Sequence, residues 1–126
     1  MVVVDTNFLV RLITREPAVQ LAEALQIYEK SKPKSLLVDR VIITECMYVL
    51  QSNYKFTRTE ILELVGDLLK GKVFDYIDGD ICGSMFKIMH NSNLSPQDAC
   101  LVALVQQKRA RSVATFDAGI QKFLAR

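Results

Sequence analysis

Four acidic residues of this 126-residue chain lie where their carboxylates could act together: Asp5, Glu45, Asp98 and Asp117. Asp5 directly follows the apolar run VVV, and Asp117 directly follows the segment RSVATF. Glu45 and Asp98 fall inside helical patterns, where Asp98 shares a stripe with Leu101 and Val105. An unpaired carboxylate on a buried face is costly, so acids at such positions favour a functional site.

Each acid also has a purely structural interpretation. Asp98 could complete a capping box with Ser95, and Asp5 could cap a short helix beginning near Asn7. Asp117 could be a turn residue before Gly119, and Glu45 could be a solvated helix residue. The argument for a site therefore rests on the four acids together.

If the four carboxylates meet, they must take up protons or hold a cation. Two carboxylates ~5 Å apart repel each other by about 3 kcal/mol at an effective dielectric constant of 20. A ligand set made only of oxygens favours Mg²⁺ or Mn²⁺ over zinc. Such ions activate water and stabilise the oxygens of an in-line displacement at phosphorus, which predicts hydrolysis of phosphodiester bonds.

The elements that must position these acids alternate between strands and helices. Apolar and β-branched runs predict strands over 1–4, with both faces buried, and over 35–38, 73–77 and 111–116. Periodicity and capping residues predict helices over 18–31 and 40–53, from Thr57 and Asp78, from Ser95-Pro96, and over 118–125. This order indicates an α/β fold with a mainly parallel sheet and helices on both faces. Ligands in such sheets bind beyond the carboxyl ends of the strands, where Asp5 and Asp117 are expected.

Length and composition exclude several classes. At a typical ~150 residues per domain, residues 1–126 are predicted to form a single domain. The one histidine and the widely spaced Cys46, Cys82 and Cys100 argue against zinc enzymes and against Ser-His-Asp or Cys-His hydrolases. Buried, reduced cysteines and a first segment unlike a secretory signal predict a cytoplasmic protein without a membrane partner. A net charge of +2 permits a polyanionic partner without arguing for one.

Four blocks resemble the PIN-domain nucleases: VVVDTNFLVRL, VIITECMYVL, SPQDACLVAL and SVATFDAGIQKF. The chain is most similar to the VapC-type toxins of prokaryotic toxin–antitoxin pairs, and the likeness runs nearly end to end. It implies a PIN-like three-layer α/β/α sandwich around a mainly parallel sheet of four or five strands. It also implies that Asp5, Glu45, Asp98 and Asp117 form the acidic Mg²⁺ or Mn²⁺ site.

The same resemblance implies supporting roles. Thr6 and Asn7 complete the DTN of the first block, and Asn7 would hydrogen-bond water at the site. Thr115 would position the last acid, and Arg11 would contact substrate phosphate or pair with an acid, unless it is simply a solvated helix residue. Some relatives carry one more acid where this chain has Gly119. The lack of that acid implies weaker binding of a second metal ion. The implied partners are RNA as substrate, a cognate antitoxin and a second copy in a homodimer.

Three rival interpretations remain. A phosphoacceptor signalling domain needs an acid pair near its first strand and a lysine after its last, but Phe116-Asp117 ends the last strand predicted here. An aspartate-nucleophile phosphatase needs DxD where this chain has Asp5-Thr6-Asn7. The third is a catalytically silent PIN fold that works as a binding or scaffolding module, against which the four intact acids argue.

Overall fold

The computed structural model describes the whole chain, residues 1–126, which divides into two compact units, Met1–Ile77 (unit 1) and Asp78–Arg126 (unit 2). Unit 1 contains a small sheet and four helices, and unit 2 contains three helices. The α/β class predicted from the sequence is confirmed. That residues 1–126 form a single domain stays a prediction.

Unit 1 is built on three short parallel strands: β1 (Val2–Val3), β2 (Leu36–Val38) and β3 (Phe74–Tyr76). Their order is β1-β2-β3, with Val2 opposite Leu36 and Leu36 opposite Phe74. Parallel neighbours need long crossovers, which the helices between the strands supply. The central strand supplies buried core residues, because Leu36 and Val38 are almost inaccessible to solvent.

The helices of unit 1 are α1 (Thr6–Thr14), α2 (Ala18–Lys30), α3 (Arg40–Ser52) and α4 (Arg58–Leu69). Three of the four, all except α2, begin after a residue whose side chain accepts a hydrogen bond from an amide of the first turn. The capping box predicted for α4 is confirmed: Thr57 Oγ1 accepts from the Glu60 amide at 3.2 Å, and Glu60 Oε1 accepts from the Thr57 amide at 2.9 Å. Asp39 caps α3 in the predicted way, accepting from the Val41 amide at 3.2 Å.

Unit 2 consists of α5 (Gly79–His90), α6 (Pro96–Gln106) and α7 (Ala118–Leu124). The predicted start of α6 is confirmed, since Pro96 is its first residue and Ser95 Oγ accepts from the Asp98 amide at 3.1 Å. The side chains of Ile81, Met85 and Val102 are fully buried. These apolar stripes hold α5 and α6 in place.

Asp78 is not the helix cap that the sequence predicts. Its backbone is left-handed, with φ 54°, and its side chain makes no cap bond to α5. Instead Asp78 Oδ1 lies 3.2 Å from Arg109 Nη1, while Asp80 Oδ2 lies 3.1 Å from Arg109 Nη2. The two carboxylates raise the pKa of Arg109. An ion pair reaching 31 residues along the chain therefore takes the place of a local cap.

The predicted sheet of four or five strands is wrong in this structure, which has three. Residues 111–116 form no strand, and Phe116 is fully exposed. The segment alternates apolar and polar residues as a strand does, but a strand exists only where a partner completes its hydrogen bonds. The first strand is also not buried on both faces: β1 is an edge strand, and Val2 and Val3 are 58% and 66% exposed.

The three cysteines are buried thiols that form no disulfide, as predicted. Burial raises the pKa of the Cys46 thiol to about 12. None of the helices combines the length and apolar character needed to cross a bilayer.

Candidate functional site

Asp5 begins α1 at the end of β1, as predicted. Its backbone is extended, and Oδ1 accepts from the Phe8 amide at 2.9 Å. The carboxylate is exposed and forms no ion pair, so its other oxygen faces solvent. The capping role and the ligand role predicted for Asp5 are therefore compatible.

Glu45 lies on α3 and is tied to the first sequence block. Thr6 Oγ1 donates to Glu45 Oε2 at 3.1 Å, across 39 residues of chain. Since Thr6 is the neighbour of Asp5, this bond brings the two acids of unit 1 to one corner. Thr6 is thus a hydrogen-bond donor to the Glu45 carboxylate, and its supporting role at a site stays a prediction.

The face of α3 around Glu45 is exposed, contrary to the sequence argument that its turn mates are buried. Val41 and Tyr48 are 60% and 67% exposed, and Glu45 itself is exposed. The buried stripe of α3 lies on the other side, at Ile43, Cys46 and its neighbours. The cost of burying a carboxylate therefore does not argue for a functional role of Glu45. Its place among the candidate site residues rests on the Thr6 contact and on the family pattern.

Arg11 is half-buried and its guanidinium is used within unit 1. Nε donates to Gln20 Oε1 on α2, and Nη1 donates to Tyr54 Oη at 3.0 Å. Both acceptors are neutral, so Arg11 pairs with no acid. These bonds hold α1 against its neighbours, while the predicted contact with substrate stays a prediction. Asn7, one turn earlier on α1, is exposed.

Asp98 and Asp117, the two acids of unit 2, line one groove. Asp98 is the third residue of α6 and is half-buried, and its amide is the one bound by Ser95. Asp117 caps α7, with Oδ1 accepting from the Ile120 amide at 2.9 Å. Thr115 Oγ1 accepts from the backbone amide of Asp117 at 2.9 Å, and its role in positioning this acid stays a prediction.

The groove has a volume of about 680 Å³ and combines both signs of charge. Its charged and aromatic lining residues are His90, Asp98, Asp117, Lys122, Phe123 and Arg126. The acids come from the amino-terminal ends of α6 and α7, whereas Lys122 lies further along α7 and Arg126 lies just beyond its end. The groove therefore has an acidic end and a cationic wall.

The sequence argument named Arg11 alone among the cations and missed Lys122, Phe123 and Arg126. The available signal was their spacing, because 119, 122, 123 and 126 lie at i, i+3, i+4 and i+7, the pattern of one helix face. Another cation of unit 2, Arg109, is held by Asp78 and Asp80. His90 ends α5 and also lines the groove.

Gly119 occupies the position where some relatives carry a further acid. A Cβ at this residue would lie 3.1 Å from Asp117 Oδ1 and 3.4 Å from Leu94 Cδ2. The first distance is tighter than an ordinary van der Waals contact. Glycine at 119 therefore leaves the capping oxygen of Asp117 uncrowded.

The four carboxylates offer the hard oxygen donors that Mg²⁺ and Mn²⁺ prefer, and none is neutralised by an ion pair. In neither unit do three or more acidic, histidine or cysteine side chains form a metal-binding group. Each unit instead supplies one pair, Asp5 with Glu45 and Asp98 with Asp117. The donor chemistry fits the ion, and that these acids are its ligands stays a prediction.

A family model described as the PIN domain matches residues 2–124. None of the curated proteins matches this chain. Among solved structures, VapC20 of Mycobacterium tuberculosis, described as a sarcin–ricin-loop-cleaving toxin, is 15% identical with a TM-score of 0.47, covering 98% of this chain and 95% of its own. A toxin–antitoxin complex from Klebsiella pneumoniae is 22% identical with a TM-score of 0.40, covering 94% and 92%. Both likenesses are too remote to carry an argument about activity.

Proposed function

Because the chain belongs to the PIN domain family, we propose that it is a metal-dependent endoribonuclease that hydrolyses phosphodiester bonds. The observation that carries the proposal is the groove of unit 2, which Asp98 and Asp117 line together with Lys122 and Arg126. Mg²⁺ or Mn²⁺, when bound, supplies Lewis-acid stabilisation of phosphate oxygens and lowers the pKa of a water. The carboxylates proposed to hold it are Asp5, Glu45, Asp98 and Asp117.

The chain's own residues then have separate tasks. Thr6 orients Glu45 through the 3.1 Å hydrogen bond, and Thr115 orients Asp117 through its amide. The capping bonds of Asp5 and Asp117 hold one oxygen of each carboxylate and leave the second for a cation. Asn7 is proposed to hydrogen-bond water at the site. Arg11 is proposed to hold α1 against its neighbours and to contact substrate phosphate.

The proposal is tested by cleavage of a mixed pool of structured and unstructured RNA. Wild type is compared with Asp98→Asn in Mg²⁺, in Mn²⁺ and in excess chelator. We expect endonucleolytic products from wild type with metal only, and loss of at least ~100-fold in rate for the variant, the scale for removing a group that stabilises developing charge. Cleavage by Asp98→Asn at the wild-type rate, in protein of normal stability, would refute the site.

The proposed biological setting is a type II toxin–antitoxin system in the cytoplasm. It is supported by the four sequence blocks, which are most similar to the VapC-type toxins. The partners proposed on that basis are RNA, a cognate antitoxin and a second copy of the chain in a homodimer. Expression of the chain alone is expected to arrest growth, and expression of Asp98→Asn is not.

The second candidate is a catalytically silent PIN fold that binds or scaffolds. It is favoured by the lack, within either unit, of a three-ligand metal group. A silent module retains its binding partner when Asp5 or Asp98 is replaced by Asn, and it cleaves no RNA in any metal. A nuclease loses turnover in the same variants, so one set of proteins separates the two functions.

A further inference from the structure

The groove of unit 2 is lined by two cations that do not neutralise its acids. Lys122 lies on α7 and Arg126 just beyond its end; both are exposed and line the same groove as Asp98 and Asp117. A wall whose only purpose was to neutralise the acids would form ion pairs with them. Neither cation does so, and both charges therefore face the space of the groove.

Arg126 is held in position rather than left to move freely. Its guanidinium carbon lies 4.7 Å from the centre of the Phe123 ring, and Nη1 donates to the Asn91 carbonyl at 3.5 Å. Phe123 also lines the groove and is half-buried beneath the guanidinium. A guanidinium has five N–H donors, so most of them stay available. Its planar fork suits the paired oxygens of a phosphate.

We infer that Lys122 and Arg126 bind two backbone phosphates of a single nucleic-acid strand and so place its scissile bond at Asp98 and Asp117. The inference rests on the proposed function and adds substrate-binding residues to it. At ~1.5 Å of rise per residue, Lys122 lies about 7 Å along α7 from Asp117, and Arg126 lies beyond the end of the helix at Leu124. The strand therefore runs along α7, from the acidic end of the groove towards the chain's last residue.

Binding is measured first without turnover. A short 5′-fluorescein-labelled unstructured RNA is titrated with Asp98→Asn protein in chelator, and anisotropy gives Kd at several salt concentrations. Two variants are made in this background. One carries both Lys122→Gln and Arg126→Gln, and the other, the matched control, carries Lys108→Gln alone. Lys108 is an exposed cation of the same unit that lies past the far end of α6, about 16 Å of helix from the groove.

We expect the double variant to bind about 10-fold more weakly or worse, and Lys108→Gln to bind as the parent does. For a single strand, each phosphate contact contributes about −0.7 to the slope of log K against log salt. Losing two contacts should therefore make the slope less steep by about 1.4. In the otherwise wild-type enzyme the same pair of changes should raise KM with kcat nearly unchanged. Circular dichroism and the Tm verify that both variants are folded.

The outcomes separate this inference from the proposed function. If wild type cleaves RNA and the double variant matches Lys108→Gln in Kd, salt slope and KM, the inference is overturned while the nuclease stands. If the strand binds with the expected dependence on Lys122 and Arg126 but wild type cleaves nothing in metal, the inference stands and the nuclease does not. If wild type cleaves no RNA in metal and the Asp98→Asn parent binds none, both are overturned.

Discussion

Asp117 is proposed to do two jobs with one carboxylate, and two substitutions separate them. Its Oδ1 accepts the Ile120 amide at 2.9 Å and so caps α7, while the charge is proposed to bind a cation. Asp117→Asn keeps an acceptor oxygen for the cap and removes the charge. Asp117→Ala removes both.

The structure sets the expected magnitudes. Asparagine is as good an N-cap as aspartate, so Asp117→Asn should lose only the exposed charge's interaction with the helix dipole, about 0.5 kcal/mol. Asp117→Ala should lose about 1–2 kcal/mol, because α7 has only seven residues and depends on this cap and on the buried Ile120. A loss of 1 kcal/mol lowers the Tm of a domain this size by roughly 3–5 °C.

The assay pairs a thermal melt with an initial rate of RNA cleavage in Mg²⁺. Both variants should be inactive, and only Asp117→Ala should melt clearly below wild type. Thr57→Ala is the matched control, since it removes the cap of α4 and should lower the Tm by a similar amount while cleavage continues. Wild-type cleavage by Asp117→Asn would show that the carboxylate serves as a cap alone. An unchanged Tm in Asp117→Ala would refute the capping energy.

Three further outcomes are expected. Mg²⁺ or Mn²⁺ should raise the Tm of wild type, and at a metal concentration of 100 times Kd the stabilisation is about 2.7 kcal/mol. The Tm of Asp98→Asn should rise less. Equal shifts in Tm would argue against metal binding by Asp98. Gly71→Ala places a Cβ 2.7 Å from Tyr28 Oη and should cost about 1–3 kcal/mol of unfolding free energy in a denaturant titration, whereas Gly83→Ala, with nothing within 4 Å, should gain about 0.5–1 kcal/mol. Because burial raises the pKa of Cys46 from 9.0 to about 12, its contribution to stability is complete below pH 9 and lost as the pH rises towards 12. The free energy of unfolding should therefore fall by up to about 1.4 kcal/mol per pH unit over that range, and Cys46→Ala, followed by the same titration, should lack this component.

Local signals in the sequence predicted the helices well. The Thr57–Glu60 capping box and the Ser95-Pro96 start are satisfied by atoms three residues away, so short windows contain all the required information. Asp78 failed as a predicted cap because its real partner, Arg109, is remote in sequence. The strand predicted over 111–116 failed for a similar reason, since a strand depends on a partner that its own residues do not specify.

The candidate site shows the same division between local and remote information. Asp5 lies just after a strand as predicted, whereas Asp117 was predicted at the end of a strand and instead follows a segment that forms none; each acid caps a helix. The helix face of Glu45 was misassigned because residues 41, 45 and 48 share a stripe in any helix, and only the packed structure decides which stripe is buried. Lys122 and Arg126 carried a usable signal in their spacing, although no family pattern pointed to them.

The shortness of α7 affects how mutants of this protein will have to be interpreted kinetically. One seven-residue helix begins at a proposed metal ligand and carries Lys122, with Arg126 just beyond its end. Fraying of its first turn would disturb the acid and tilt both cations in the same event. Substitutions at Asp117 that weaken the cap should therefore raise KM as well as lower kcat. Asp98, whose helix carries neither cation, should give an effect on kcat alone.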